Sequence, residues 1–347
     1  MLQTANPRRA KAEAETGGAF RLCTLSRSLA LMALFAFALA SPVRAQDLTV
    51  LFSPTGPGVS TVITNWGLDT GWPSFDNMQR GLIFMGTNHV NVVQVVFEMN
   101  APLTNNDLTP AQKMDLTNMM NLASMATSAT RWNLSCGTGA GVAPSYQSGA
   151  GTVYPDRWAA SMEAWQRNYR KNFWVVQGFN EPDYGWGQGS QQNLYDIFGY
   201  LQTATNFTGS LFGGGCTLSC DQANSWYNFV AGRVSVGTTH CLAGSVSSYV
   251  SFIQNVLSNN ALPFNPEAHN LCEVLIGANY GLQGTIWWGT AERARGNFVS
   301  ECQGQRLGYA DNWPNWTAAA VYRGTNGAVQ AFLGGSERSE LPGQCGG

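Results

Sequence analysis

From residue 61 onward the chain alternates eight times between a short apolar stretch of strand character and a longer segment with helical spacing. The strand-like stretches fall at 61–66, 90–97, 129–134, 173–176, 209–213, 234–239, 262–267 and 284–288. The second of them, VNVVQVVF, is a nearly unbroken β-branched run, as expected of a parallel strand covered on both faces. Between them, 75–85 repeats Phe75, Met78, Leu82 and Met85 on one helical face. Thr109-Pro110 opens the next helix as N-cap and first helical residue. Further helices are expected near 156–169, 193–204, 224–230, 246–257 and 271–280, with the last at 316–322. Strand then helix, repeated eight times, predicts an α/β chain folded as a (β/α)8 barrel, which takes about 250 residues. A chain of 347 residues has room for that barrel and little more.

The ends divide as follows. Residues 1–45 read as a signal peptide: Arg21 and Arg27 precede the apolar run 29–40, and Val43-Arg44-Ala45 fits a cleavage site. The run is too short to span a bilayer, so a secreted protein with no membrane attachment after cleavage is expected. Residues 46–323 are assigned to the barrel, and 324–347 to a tail. Within that tail 327–332, GAVQAF, alternates like a single strand. One strand cannot form a domain, so it either packs on the barrel or starts a C-terminal β-sandwich that has been cut short. Only 12% of residues are charged and the formal net charge is −2, which argues against a nucleic-acid partner. A monomer is expected. Of eight cysteines, Cys23 lies in the leader, and disulfides are expected among the rest in an oxidising compartment, with Cys216 and Cys220 close enough to pair. CTLSC has no second ligand pair at zinc spacing, and GTGAG in 137–141 lacks the lysine of a phosphate loop. No metal and no cofactor are therefore expected. GQGSQQ does not have the spacing of a nucleophile elbow, which excludes the usual serine hydrolase.

Chemistry concentrates at Phe173 to Trp186, FWVVQGFNEPDYGW, where an apolar strand stops and Asn180-Glu181 follows, backed by Pro182. In a parallel barrel the carboxyl ends of the strands open on the active face. A carboxylate there, among Tyr184, Trp186 and Trp288, suits a sugar whose apolar face lies on planar rings. The same Asn, Pro and Asp would also make an ordinary tight turn. His240 stands at the end of the sixth strand and Glu267 at the end of the seventh. Pro266, just before Glu267, is awkward within a ladder because it cannot donate. Glu273, Glu292, Glu98 and Asp183 compete with Glu267 for its role, though Glu273, a helical turn and more beyond His269, is expected to face solvent or a salt bridge. His269 and Asn270 either cap the following helix or orient Glu267. Asp69, Arg131, Trp132 and Trp66, with Trp72 and Trp287, are candidate substrate contacts by position.

Asn180-Glu181-Pro182 after the fourth strand, a His ending the sixth, a Glu ending the seventh and a Trp ending the eighth resemble clan A of the retaining glycoside hydrolases. The resemblance covers residues 61–322, and Asn-Glu-Pro is its most specific element. It implies a hydrolase cleaving β-glycosidic bonds in a polysaccharide or oligosaccharide by double displacement. Glu181 would then be the acid/base, Glu267 the nucleophile, and Asn180 a partner of the sugar hydroxyl beside the reacting carbon. The alternative is a non-catalytic barrel that binds carbohydrate and lacks a working nucleophile.

Overall fold

The structure, a computed structural model, describes residues 48–61, 63–137, 141–148, 152–184 and 188–335. The expected leader, Trp186, Cys23, Cys345 and residues 336–347 lie outside them.

Twelve strands are described. A short β1 (Val59–Ser60) precedes eight that alternate with helices: β2 (Asn65–Asp69), β3 (Val92–Glu98), β4 (Arg131–Gly137), β5 (Val175–Gln177), β6 (Leu211–Ser219), β7 (Val236–Ala243), β8 (Leu262–Ala268) and β9 (Gly284–Trp287). Each pairs in parallel with the next, and β9 returns to β2 with Leu68 opposite Trp287, so the barrel closes. The helices are α1 (Phe75–Met85), α2 (Pro110–Ala123), α3 (Pro155–Tyr169), α4 (Gln191–Thr203), α5 (Cys220–Val230), α6 (Val246–Ser258), α7 (Leu271–Tyr280) and α8 (Arg293–Glu301). Local chemistry sets several of their starts. The Thr109 hydroxyl accepts from Gln112 N–H while the Gln112 side chain accepts from Thr109 N–H, and Ser190 and Asn193 repeat this reciprocal cap on α4.

Two departures from the sequence reading follow from burial. The first barrel strand runs through NWGLD rather than TVITNW, so its mouth end is Asp69. The expected helix at 316–322 is instead part of a strand, β11 (Thr317–Arg323), and the eighth helix comes earlier, as α8. Flanked by β10 (Gln305–Asn312) and β12 (Val329–Gly335), β11 lies in an antiparallel sheet of order β1-β10-β11-β12. The strand expected at 327–332 is thus β12, one member of that sheet. The sheet packs on α7 and α8. Phe298 of α8 meets Trp66 of β2, Tyr322 of β11 and Phe332 of β12 at centroid distances of 5.9, 5.4 and 5.2 Å. Burying each such ring is worth about 1.5–3 kcal/mol, so the sheet is fastened to the barrel wall by its aromatics.

Inside, Val92, Val175, Val236, Phe264 and Ile286 form a cluster of their own. Several of the strands they come from are not neighbours, so the contacts cross the lumen and plug the barrel. Two residues further along their strands, Gln94 and Gln177 begin a polar layer above that plug. Gly213 makes room for it: a Cβ there would stand 3.2 Å from Gln177 Cγ. From outside, α3 pins the mouth ends of two strands. Trp165 Nε1–H donates to the Glu98 carbonyl at 3.1 Å, and Trp158 Nε1–H to the Gly178 carbonyl at 3.0 Å.

Candidate active site

Glu181 lies in the loop four residues past β5, not on the strand itself, and is only 7% exposed. Its backbone is left-handed (φ +47°), held there by its N–H donating to the Cys216 carbonyl at 2.8 Å. Cys216 is left-handed as well, at φ +48°, directly after Gly215 at φ +107°. Two non-glycine residues in this region cost about 1–3 kcal/mol each, and such strain gathers where side chains must be aimed.

Glu267 projects from β8 and is 8% exposed. The pairing of β8 with β9 shifts register between Asn265 and Ala268, which places Pro266 in a bulge where no ladder donor is required. The Glu267 N–H is met instead by Asn265 Oδ1 at 3.0 Å. The proline that counted against Glu267 in the sequence is thereby accommodated.

His240, fully buried on β7, joins the two acids. Its Nδ1 lies 2.9 Å from Glu181 Oε1 and 3.4 Å from Glu267 Oε2. The other Glu267 oxygen pairs with His269 Nε2 at 3.0 Å, and the His269 ring stacks on Trp288 at 4.7 Å and 17°. Trp288 is 39% exposed and presents an indole face beside the pair. Glu181, His240 and Glu267 bring one ligand atom each to within 4.8 Å of one another. The carboxylates take up Nδ1 as a hydrogen-bond partner, so the three side chains are linked as a proton-sharing set. Burial alone lowers the affinity of His240 for its proton, but the Cys216 sulfur first, and then the carboxylates of Glu267 and Glu181, more than offset this and hold it well above the ordinary imidazole range. Burial also pushes the neighbouring Cys216 thiol up, which keeps it protonated.

Asp69, at the mouth end of β2, is 1% exposed. Its Oδ1 accepts from Gly71 N–H at 3.0 Å. Desolvation, reinforced by the charge of Glu267, raises its carboxyl to about 7. The unfolded chain ionises this group near its ordinary value of 3.8, so between about pH 4 and 7 the native state holds a proton that the unfolded state has released. Stability therefore falls across that window as pH rises. Asp69→Asn should remove this slope and gain at most about 4 kcal/mol over the wild type at pH 8, with little gain at pH 4. Urea midpoints of the two proteins at both pH values check it, and parallel pH profiles would refute it.

Other residues singled out in the sequence fall elsewhere. Arg131 and Trp132 begin β4 rather than end it, so they sit at the amino ends of the strands, away from the carboxylates. There Arg131 donates to Asn65 Oδ1 and covers the Trp174 ring, and Lys171 covers Trp132. Trp66 is fully buried between Trp287 and Phe298 and offers no face to a ligand. Asn180, buried, donates its backbone N–H to Gln188 Oε1 at 2.7 Å, and Tyr184 ends a short 3-10 helix immediately after Glu181. Among the rivals of Glu267, Asp183 accepts from Leu218 and Ser219 N–H, Glu98 pairs with Asn100, and Glu292 is exposed at the start of α8. Cys216 and Cys220 do not pair. Cys216 turns into the barrel, whereas the Cys220 thiol donates to the Ala243 carbonyl at 3.0 Å, and no disulfide occurs among the described residues. Gln177 and Cys216, both in contact with the site, were not singled out for it. The glycine run 213–215 before Cys216 was the available signal, because glycines inside a strand mark a bulge.

Fold and site together define a (β/α)8 barrel with a buried glutamate pair bridged by an imidazole at the carboxyl ends of its strands. Among solved structures it is similar to a GH30 endoxylanase from Clostridium papyrosolvens C71, with TM-score 0.53, 14% identity, and coverage of 80% of this chain and 82% of that one. It is also similar to a glycoside hydrolase family 30 subfamily 8 xylanase from Clostridium acetobutylicum (TM-score 0.52, 12% identity, 78% and 80% covered). A glucosidase from Croceicoccus marinus is a third (TM-score 0.50, 10% identity, 82% and 77% covered). No family model and no curated protein sequence matches the chain. At these identities the likeness establishes a shared fold, the barrel that the clan A resemblance implied.

Proposed function

We propose that the chain is a retaining glycoside hydrolase acting on a β-linked polysaccharide or oligosaccharide. The observation that carries this reading is the convergence of Glu181 and Glu267, from the fourth and seventh barrel strands, with ligand oxygens within 4.8 Å of each other. Retaining enzymes set their two carboxyl groups about 5–5.5 Å apart, while inverting enzymes leave about 6.5–9.5 Å for a water molecule. Glu267, whose backbone the bulge fixes, attacks the anomeric carbon as Glu181 gives its proton to the departing oxygen. Glu181 then takes a proton from water, whose oxygen displaces Glu267 and releases the sugar with its original configuration. The exposed face of Trp288 suits the apolar side of a sugar ring. The two xylanases and the glucosidase of like fold support a sugar substrate, and the apolar run at 29–40 supports action outside the cytoplasm.

The test is release of reducing ends from xylan, β-glucan and β-mannan, with the anomer formed in the first minutes followed by proton NMR. Retention is the expected outcome and inversion would refute the double displacement. Binding of these polysaccharides without release of any end, from them or from aryl glycosides, would establish the non-catalytic barrel instead.

A further inference from the structure

A line of buried hydrogen bonds crosses the polar layer of the barrel from strand to strand and ends at His240. Gln94 Nε2–H donates to Asp69 Oδ1 at 3.5 Å, Asn133 Nδ2–H to Gln94 Oε1 at 2.6 Å, and Gln177 Nε2–H to Asn133 Oδ1 at 3.2 Å. Cys216 then donates its S–H to Gln177 Oε1, and its sulfur lies 3.1 Å from His240 Nε2. Every member is buried. The direction is set at the Asp69 end, where Oδ1 already accepts from Gly71 N–H and stays an acceptor towards Gln94 when the carboxyl proton is carried by Oδ2. Each amide that gives its N–H one way presents its oxygen the other way. The thiol hydrogen is thus committed to Gln177, and the sulfur has only lone pairs left for the imidazole.

We propose that Cys216 is a positioning residue: held by Gln177, its sulfur receives the Nε2–H of His240 and fixes the ring with Nδ1 between Glu181 and Glu267. Nδ1 is then the one ring nitrogen that exchanges a proton with the acids, and the three groups share a single proton as a unit. The titratable groups facing His240 are Glu181 from the loop after β5, Cys216 from β6 and Glu267 from β8. His269 and Asp69 act on Glu267 behind them. The consequence for turnover rests on the reading of Glu181 as the acid; the ring orientation does not.

The first measurement is therefore independent of any substrate. Long-range proton–nitrogen correlation spectra of the 15N-labelled wild type, assigned against His89→Asn and His269→Asn, report which nitrogen of His240 carries hydrogen as pH is raised. Nε2 should stay protonated throughout, and a neutral form with Nδ1–H and bare Nε2 would overturn the proposal. The second measurement compares Cys216→Ala and Cys216→Ser. For the alanine variant kcat/KM on an alkyl glycoside, which needs the acid, should fall about 10–100-fold, and on a dinitrophenyl glycoside by less than about 3-fold. The basic limb of the pH profile should move down by about one unit, and serine, which both donates and accepts, should restore most of the loss. An equal fall on both substrates, or an unmoved basic limb, would overturn it. If the alanine variant does not fold, the wild-type spectrum decides. If the wild type hydrolyses no glycoside, the proposed function fails while the ring orientation is still tested.

Discussion

Glu267→Ala should lower hydrolysis of an activated aryl β-glycoside by about 10⁴-fold or more, because loss of a nucleophile removes the step that all later chemistry needs. The backbone should survive the change, since the bulge at Pro266 is held by Asn265 rather than by the glutamate side chain. Azide entering the vacated space would form a carbon–nitrogen bond as the aryloxide departs. The product would be a glycosyl azide of inverted configuration. A variant as active as the wild type would remove Glu267 from the mechanism and return the choice to the remaining acids of the barrel mouth.

Glu181→Ala is expected to divide substrates by their leaving groups. A dinitrophenolate departs without a proton, so formation of the glycosyl-enzyme should be nearly unchanged, whereas an alkyl glycoside should lose about 10²–10⁴-fold. With no base left to activate water, the intermediate should accumulate, giving a burst of phenolate followed by slow turnover. Here azide would attack that intermediate and yield a glycosyl azide of retained configuration. The two azide products thus form a matched pair, and their exchange between the variants would show that the roles of the two glutamates are reversed.

Much of the barrel was legible because its strands advertise themselves. The run 90–97 has no other comfortable place than a doubly covered strand, and Glu181 is marked by the Asn and Pro that flank it. Where apolar pattern and strand part company, the reading slipped. TVITNW is the more apolar stretch, yet the ladder uses NWGLD, since tertiary packing of Trp66 against α8 outweighs local propensity. In β4 the mouth half is Ser135-Cys136-Gly137, small residues that read as a loop, and this placed Arg131 and Trp132 at the wrong end of the strand. The alanines of TAAAVYR favour helix in isolation, but their cross-strand partners in β10 and β12 make them a central strand. Sequence brought Glu181, His240 and Glu267 into one site through their order on the strands and the clan A resemblance which that order carries. It did not show the hydrogen-bond line behind them, because its successive members are 24 to 44 residues apart and acquire direction only when stacked across a closed lumen.

Trp66 and Trp287 stack at 6.4 Å and 23°, both fully buried, on the two strands whose pairing closes the barrel. Two indoles so close and so nearly parallel couple their electronic transitions, which makes the seam between β2 and β9 its own optical gauge. Any state in which the ring of strands has parted there loses the coupled dichroism of the pair even if its helices persist, so a split barrel can be told from a merely loosened one by light alone.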